Sequence, residues 1–410
     1  MAGVAIGETV ILLHPPLPVL GVSIWIKRGC HQNDCLADVL GRGEPFAYNI
    51  VNRYFDEFIP EAIAIAKDGR ENGTAYSYMT QSWVASLYLD CGNAGWESWP
   101  GSGATEVGAP LLHCPNASAV AAFRAALKAG DIFLHAFPHD GEASYYPDTS
   151  LFESALAMAK TIADDVGIAA PISVSQRDVP GWTRAALPLL NKHGIVGLSF
   201  GAGTPPGKPD VPPLCLWRDI ASGSEVVLTY ETAYGTVSTV FVLPNGVALA
   251  VAWEGDNTGP APLEDVAGFY ASLQTRFPAA NVSASTFDAF FAVANKAEVK
   301  SKLPVVTQEI GDGCATALHS LSSTVIWQML SVACLIAGLY GVPSDPLKNA
   351  QFREASRQRL ACLESGVCDV TNPAMRAFDR LLVKVPEHTW GVSQVCSGTL
   401  TSRLSNARIA

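Results

Sequence analysis

Apolar residues recur at helical spacing along several segments of the chain. The first segment begins near Asn49 and carries its apolar residues three or four positions apart, at Ile50, Tyr54, Phe58, Ala62 and Ile65. That spacing predicts an amphipathic helix that ends in a polar, glycine-containing turn. The same period predicts further helices within residues 118–129, 150–168, 183–194, 263–277 and 286–295.

Short runs of β-branched and apolar residues lie between these helices. They predict strands in segments 132–137, 170–175, 195–200, 224–231, 238–243, 246–253 and at the start of 281–295. Residues 74–90 mix aromatic and β-branched positions, which predicts a strand that leads into a helix. Strands that alternate with helices predict an α/β fold with a largely parallel sheet or barrel. In such folds the chemistry lies at the carboxyl ends of the strands, where the stretch SQRDVPGW places Asp178.

The composition is that of a globular protein with a large core. Of the 410 residues, 49% are hydrophobic and only 16% are charged. The net charge is −11 and no run of Lys or Arg forms a basic stripe, which excludes a nucleic-acid partner. The amino terminus is a poor signal peptide and is better interpreted as a strand and loop, so the sequence favours the cytoplasm.

The ten cysteines are scattered, with no CxxC pair among them. This arrangement predicts that most are buried or free thiols, as in a reducing compartment. Three glycosylation sequons begin at Asn72, Asn116 and Asn281, and they matter only if the chain is secreted.

Residues 313–342 form an apolar segment without Asp, Glu, Lys or Arg. Residues 321–342 are long enough to span a bilayer, so one interpretation is a transmembrane helix. A buried core helix and a retained intron are the alternatives. The flanking sequences have the composition of a globular enzyme and favour the intron, which makes a membrane association unlikely for the chain as a whole.

Two carboxylates are candidates for chemistry. Asp178 follows a buried strand and adjoins Arg177, so it fits a metal ligand or a nucleophile, although a helix N-cap or a structural ion pair is the alternative. Asp256 lies in the glycine-rich stretch WEGDNTGP and fits a general acid, with simple turn chemistry as the alternative.

Clusters of polar and aromatic residues supply further candidates. The stretch HAFPHDGE places two histidines and two carboxylates within eight residues, which fits either a metal cluster or an ordinary polar loop. His388 adjoins Trp390 in PEHTWG, and Trp83 follows Tyr78 in YMTQSW. Aromatic rings beside polar groups suit sugar binding, because the C–H faces of sugars stack on them.

Taken together, these stretches resemble the catalytic domain of the glycoside hydrolase family 38 α-mannosidases. The segment SQRDVPGWTRAALPLLNKHGI is similar to that family's strand, aspartate, turn and following helix, and the similarity extends with gaps from about Asn49 to Gly391. The resemblance implies a seven-stranded α/β barrel with a helical C-terminal appendage.

The resemblance also implies the chemistry of a retaining, zinc-dependent hydrolase of α-linked sugars. Asp178 would be both nucleophile and zinc ligand, His388 a second zinc ligand and Asp256 the acid/base. Side chains near these positions would bind the carbohydrate substrate, namely Trp83, Arg177, Trp182 and Trp390.

One motif of the family is missing here. The family places a His-x-Asp pair of zinc ligands after its first strand, and neither His14 nor the stretch CHQNDCLAD has that spacing. We therefore predict weak zinc binding and an inactive enzyme.

The departures also suggest the organisation of the chain. We infer a mis-spliced coding sequence, with errors before about Phe46, around 313–339 and after Val392. The expected regions are an irregular segment at 1–45, a catalytic domain at 46–312, the apolar insert at 313–342, a helical continuation at 343–392 and a tail at 393–410.

Two other functions fit the sequence. A metal-dependent carbohydrate deacetylase would use the His-x₃-His spacing of His135 and His139. A carbohydrate-binding relative that has lost catalysis would explain the missing His-x-Asp motif. Release of acetate identifies the first, and sugar binding without turnover identifies the second.

Overall fold

The computed structural model describes residues 9–14, 50–91, 113–177, 179, 181–201, 209–231, 239–252, 259–310 and 346–387. Within these ranges helices and strands roughly alternate up to residue 201, as the hydrophobic pattern predicts, and four further strands then follow one another before the next helix. The helices are α1 (Ile50–Arg53), α2 (Ile59–Asn72), α3 (Ser82–Asp90), α4 (Ala117–Ala129), α5 (Thr149–Val166), α6 (Leu187–Lys192), α7 (Leu263–Arg276), α8 (Phe287–Ala294), α9 (Ala297–Lys300), α10 (Pro346–Glu364) and α11 (Pro373–Leu382). A π-helical turn, Tyr54–Phe58, joins α1 to α2.

The strands are short and mostly buried. They are β1 (Thr9–His14), β2 (Tyr78–Thr80), β3 (Ile132–Leu134), β4 (Ser173–Arg177), β5 (Gly197–Gly201), β6 (Leu214–Arg218), β7 (Glu225–Glu231), β8 (Val240–Val242), β9 (Ala248–Ala252), β10 (Asn281–Ala284) and β11 (Val305–Val306). Strand β1 lies in the otherwise irregular N-terminal segment, where the sequence predicts a strand and a loop, and β6 is a strand that the hydrophobic pattern does not predict.

Side-chain caps and glycines set the ends of the main helices. Asn116 caps α4 by accepting a hydrogen bond from a backbone N–H of the first turn, and Asp148 does the same for α5. Both helices end at glycines with positive φ, Gly130 at 75° and Gly167 at 81°. Glycine adopts this left-handed conformation without steric cost, so the chain can turn sharply into the strand that follows.

The described strands form three sheets. A four-stranded sheet has the order β10-β1-β9-β8 and is antiparallel throughout. A five-stranded sheet has the order β11-β6-β7-β5-β4, in which β4, β5 and β7 are parallel. Strands β2 and β3 form a parallel pair.

The sheet arrangement corrects part of the sequence prediction. The mixed α/β class is confirmed, but the sheets are not largely parallel. The seven-stranded barrel is not confirmed either, because none of the three sheets formed by the described residues closes on itself. Periodicity alone identifies strands and cannot tell a parallel neighbour from an antiparallel one.

Two hydrophobic cores lie on opposite faces of the strands. The outer core takes residues such as Val174, Leu198 and Leu228 and is covered by the long helices. The inner core combines residues from all three sheets, including Met79 of β2, Val227 of β7 and Leu249 of β9, with three phenylalanines of α8. Because side chains alternate along a strand, each strand contributes its odd and even positions to different cores.

The C-terminal helices pack directly against the rest of the structure. Arg359 of α10 is fully buried and forms a two-pronged ion pair with Asp379 of α11, at 2.6 and 2.8 Å. The same guanidinium donates to the hydroxyls of Ser150 and Ser154 on α5. These bonds make α10 and α11 an integral layer over α5, and the predicted appendage is part of the fold.

The described cysteines contradict the prediction that most cysteines are buried or free thiols. Five cysteines lie in the described residues, and four of them form the disulfides Cys91–Cys114 and Cys362–Cys368. Only Cys215 is free there, and it is buried. Spacing along the chain does not reveal pairs whose partners meet only after folding.

No helix within the described ranges is long and apolar enough to cross a membrane. The apolar segment at 321–342, for which a membrane helix is one interpretation, lies outside those ranges.

Candidate functional site

Polar side chains occupy the inner face of the strands at their carboxyl ends. Register pairs Arg177 of β4 with Gly201 of β5, and Gly201 with Glu231 of β7. One step earlier on the same face the register aligns Ser175, Ser199 and Thr229. All five of these polar side chains are buried. A buried polar layer on a sheet face demands partners, so it marks a site rather than ordinary core.

Strands β2 and β3 extend this layer. Met79 and Phe133 contact the inner core, so the residues two positions later, Gln81 and His135, lie on the same face. Both are buried. We call the set of Gln81, His135, Arg177 and Glu231 the inner polar layer.

Arg177 is held over the neighbouring strand. Its guanidinium donates to the carbonyl of Ser199 at 3.2 Å, to the hydroxyl of Ser199 at 3.0 Å and to the carbonyl of Gln176 at 2.9 Å. It also lies 6.0 Å from the ring centroid of Phe287, which is within the range of a cation–π contact. The side chain is therefore fixed in place, with its positive charge in the layer.

Asp140 links the ends of two strands. Its Oδ1 accepts from the backbone N–H of Arg177 at 2.8 Å, and its Oδ2 accepts from Nε2 of Gln81 at 3.2 Å. Only 1% of Asp140 is exposed. A carboxylate bonded to both segments in this way holds the two strand ends together.

The loop that carries Asp140 is itself held on β4. The Gly141 N–H donates to Oε1 of Gln176, and Nε2 of Gln176 donates to the carbonyl of His139 at 3.0 Å. A Cβ on Gly141 would lie 2.7 Å from the His139 ring, so only glycine fits there. The HAFPHDGE loop is thus a rigid wall beside the layer.

The C-terminal segment closes over this loop. His139 Nε2 donates to the carbonyl of Val383 at 2.6 Å, and the Glu142 N–H donates to the carbonyl of Pro386 at 3.1 Å. An isolated bridge pairs Gly141 with Glu387. We call residues 383–387 the C-terminal strap.

Both histidines of the loop are neutral. Burial, with smaller contributions from His139 and Arg177, lowers the pKa of His135 to about 3. Burial, followed by the charge of Lys384, lowers the pKa of His139 to about 4. Nδ1 of His135 accepts from the Phe137 N–H at 3.3 Å. These bonds place the proton of each ring on Nε2.

The two described tryptophans that the sequence nominates for sugar binding are packed in the interior. Trp83 donates from its ring nitrogen to the carbonyl of Arg380, and the Lys384 ammonium lies 4.7 Å from its ring centroid. Trp182 donates to the carbonyl of Gly141 at 2.7 Å and is fully buried among aromatic rings. Stacking on a sugar needs an exposed ring face, and neither ring has one.

The other nominated residues lie outside the described residues. Asp178 follows the layer residue Arg177 directly and precedes the fully buried Val179. Asp256, His388 and Trp390 also fall outside.

Zinc was expected from the resemblance. In the part of the chain that the structure describes, no three His, Cys, Asp or Glu side chains group as metal ligands. Both oxygens of Asp140 and Nδ1 of His135 accept hydrogen bonds, and Nε2 of His139 donates one.

Sequence reasoning did not find Gln81 and Glu231. The signal that could have found them is a polar residue at every second position of a strand. It occurs at Thr229 and Glu231 in β7 and at Ser173, Ser175 and Arg177 in β4. That period of two indicates one polar face, but only the register shows that the polar faces of β4, β5 and β7 coincide.

The C-terminal region matches a family model described as a domain of unknown function (DUF5054), over residues 342–395. This match covers a small part of the chain and assigns no activity. No curated protein matches the chain.

Two solved structures are similar to the chain in outline. They are an α-mannosidase from Enterococcus faecalis V583, with 13% identity and a TM-score of 0.46, and a 4-α-glucanotransferase from Thermococcus litoralis, with 10% identity and a TM-score of 0.45. The alignments cover 81% and 82% of this chain, but only 36% and 50% of those proteins. Both scores are too low to establish a common fold, so the case for a function rests on the site.

Proposed function

We propose that the chain is a glycoside hydrolase-like protein that binds an α-linked sugar at the inner polar layer. The observation that carries this proposal is the layer itself, which places Arg177 and Glu231 at the carboxyl edge of three adjacent parallel strands. Asp178 is the next residue after Arg177. A fixed cation, a carboxylate and an amide at one edge can hydrogen-bond the hydroxyls of a sugar ring.

Within this proposal the reaction is retaining hydrolysis, as in the α-mannosidases that the sequence resembles. The Asp178 carboxylate attacks the anomeric carbon while the bond from that carbon to the leaving oxygen breaks. Asp256 gives a proton to that oxygen, and water then hydrolyses the sugar–Asp178 ester with Asp256 as base. Arg177 and Glu231 orient the ring.

A zinc ion would add to the chemistry of the two carboxylates, Asp178 and Asp256. Asp178 and His388 would be zinc ligands by resemblance, and a zinc ion would bind sugar hydroxyls and stabilise developing charge. The described residues contain no group of three or more His, Cys, Asp or Glu side chains that could hold the ion. We therefore propose that this chain binds zinc weakly and binds the sugar without efficient turnover.

The deacetylase alternative is less well supported. It needs His135 and His139 to present lone pairs to one metal ion. Nδ1 of His135 already accepts from a backbone N–H, and Nε2 of His139 already donates to a carbonyl. The bond to His135 would have to break before that ring could bind a metal, whereas the bond from Nε2 of His139 leaves the Nδ1 lone pair of that ring without a partner among the described residues.

The first experiment is calorimetric titration of the full chain with methyl α-mannoside, with methyl β-mannoside for comparison. We expect binding of the α-anomer, weakened about tenfold or more in Glu231→Gln, because a hydrogen bond to a charged group contributes about 1.5–3 kcal/mol. Glu264→Gln is the matched control, since Glu264 is an exposed carboxylate in the first turn of α7. Absence of binding to any α-linked sugar, or equal loss in both variants, would refute the proposal.

The second experiment measures turnover of 4-nitrophenyl α-mannoside with added zinc and with EDTA. We expect little hydrolysis in either condition. Stoichiometric zinc and rapid hydrolysis abolished in Asp178→Asn would show that the prediction of inactivity is wrong. Acetate release from an acetylated sugar would instead support the deacetylase.

A further inference from the structure

Two disulfides lie in different parts of the fold. Cys91 and Cys114 have Cα atoms 5.4 Å apart and join the end of α3 to the residues just before α4. Cys362 and Cys368 have Cα atoms 5.2 Å apart at the end of α10. Both separations are within the range that a disulfide requires. Paired cysteines in two independent places are characteristic of proteins that fold in an oxidising compartment.

The three sequons present exposed asparagines on the folded surface. Asn72 is the last residue of α2, Asn116 immediately precedes α4, and Asn281 begins β10; all three are exposed. A buried asparagine could not carry a glycan in the folded protein. Three exposed sequons together with two disulfides are therefore two independent observations that point to the same compartment.

We propose that the chain folds in a secretory compartment, where it forms these two disulfides and is N-glycosylated at Asn72, Asn116 and Asn281. This proposal is independent of the proposed function. It reverses the sequence-based preference for the cytoplasm, which followed from the poor signal peptide and agreed with the expectation of free thiols.

Both modifications have defined chemistry. In each disulfide, two thiols lose two protons and two electrons, and the disulfide of an exchange oxidoreductase is reduced to a dithiol. In glycosylation, the asparagine Nδ2 loses a proton and forms a bond to C1 of the sugar. The bond from C1 to the diphosphate of a lipid-linked oligosaccharide breaks, and the lipid diphosphate leaves with the electron pair.

Asn116 is the site that the local geometry supports most directly. Its Oδ1 accepts a hydrogen bond from the Ala119 N–H at 2.9 Å and so caps α4. A glycan is attached through Nδ2, so the capping oxygen remains available. Ser118, the third residue of the sequon, is exposed.

The free cysteine does not compete for pairing. Burial raises the pKa of the Cys215 thiol to about 12, and its side chain is inaccessible. Since the thiolate is the reactive form, Cys215 is inert to exchange near neutral pH.

The test uses the full chain isolated from cells that produce it, with the cells lysed in guanidinium chloride and N-ethylmaleimide so that the buried thiol of Cys215 is also blocked. Peptides are mapped by mass spectrometry without reduction, before and after removal of N-glycans by an amidase that converts the glycosylated asparagine to aspartate. We expect linked peptides for Cys91–Cys114 and Cys362–Cys368, a blocked thiol at Cys215, and conversion at Asn116.

A matched pair of variants separates glycosylation from folding. Ser118→Ala removes the sequon and leaves the capping Asn116 in place, whereas Ser118→Thr keeps the sequon. We expect the first to migrate faster by one glycan and the second to migrate like the parent. N-ethylmaleimide on the four paired cysteines, or an unmodified Asn116 in protein whose disulfides are intact, would each overturn the proposal.

Discussion

The buried ion pair between Arg359 and Asp379 makes a sharp prediction about stability. The Arg359 side chain is 0% exposed and that of Asp379 is 9% exposed. Asp379→Asn keeps the size of the side chain and removes its charge, which leaves the guanidinium buried without a counter-ion. We expect this change to loosen the contact of α10 and α11 with α5.

The size of the effect follows from the contacts. Two charge-assisted bonds to Asp379 are altered, while the bonds from Arg359 to the hydroxyls of Ser150 and Ser154 remain. Removing one partner of a buried ion pair costs about 3–5 kcal/mol, because the remaining charge stays desolvated. Replacing both partners, in Arg359→Met with Asp379→Leu, should cost less than the sum of the two single changes.

The assay is the free energy of unfolding in urea at neutral pH for the parent, the two single variants Arg359→Met and Asp379→Leu, their combination, and Asp379→Asn. Glu354→Gln is the control, since Glu354 forms an exposed pair with Arg357 on the same helix α10. We expect the control to unfold like the parent. Hydrogen exchange of the C-terminal strap should rise in Asp379→Asn and stay at the parent level in Glu354→Gln.

Two results would refute this reasoning. One is a cost below about 1 kcal/mol for Asp379→Asn, the range of an exposed pair. The other is strict additivity in the double variant, which would mean that the two side chains do not interact.

Three further predictions concern packing, pH and covalent structure. A Cβ at Gly197 would lie 2.0 Å from the Phe291 ring, so Gly197→Ala should lower the urea midpoint of unfolding. A Cβ at Gly268, on the open face of α7, would meet no other atom of the described residues, so Gly268→Ala should raise the free energy of unfolding by about 1 kcal/mol. Burial lowers the pKa of His139 to about 4, so on acidification the unfolded chain binds a proton at this histidine before the folded chain does. The stability that this histidine contributes is therefore present above about pH 6.5 and is lost as the pH falls toward 4. In His139→Gln the thermal midpoint should decline less steeply over that pH range. Reduction of Cys91–Cys114, a sequence separation of 23, should lower the free energy of unfolding by about 3 kcal/mol, and an unchanged thermal midpoint in reductant would contradict it.

The sequence predicts the helices well and the sheets incompletely. Helix α5 is predictable because its apolar residues recur at helical spacing and Asp148 and Gly167 mark its ends. Strand β6 is missed because Leu214–Arg218 has no clear alternation and follows a proline-rich stretch. Whether neighbours run parallel depends on contacts between distant segments, and no local pattern encodes that.

The site is predictable to a similar degree. The sequence locates the polar end of β4 at Arg177, but the assembly of the layer depends on register with β7 and on residues at the end of β2. The sequence suggests Trp83 and Trp182 for sugar binding, but both rings lie in the interior. The ring nitrogen of each donates a hydrogen bond to a buried backbone carbonyl. An amphipathic ring serves the core as readily as it serves a sugar.

The C-terminal strap has a consequence for the order in which the protein folds. The bond from Trp83 to Arg380 spans 297 residues, and that from His139 to Val383 spans 244. During synthesis the wall of the site therefore waits for almost the whole chain before its last partners emerge from the ribosome. Contacts of such long range form late and slowly. Until then the start of α3 and the loop after β3 lack these partners and are open to other chains, so this protein should depend on chaperones while it is being made.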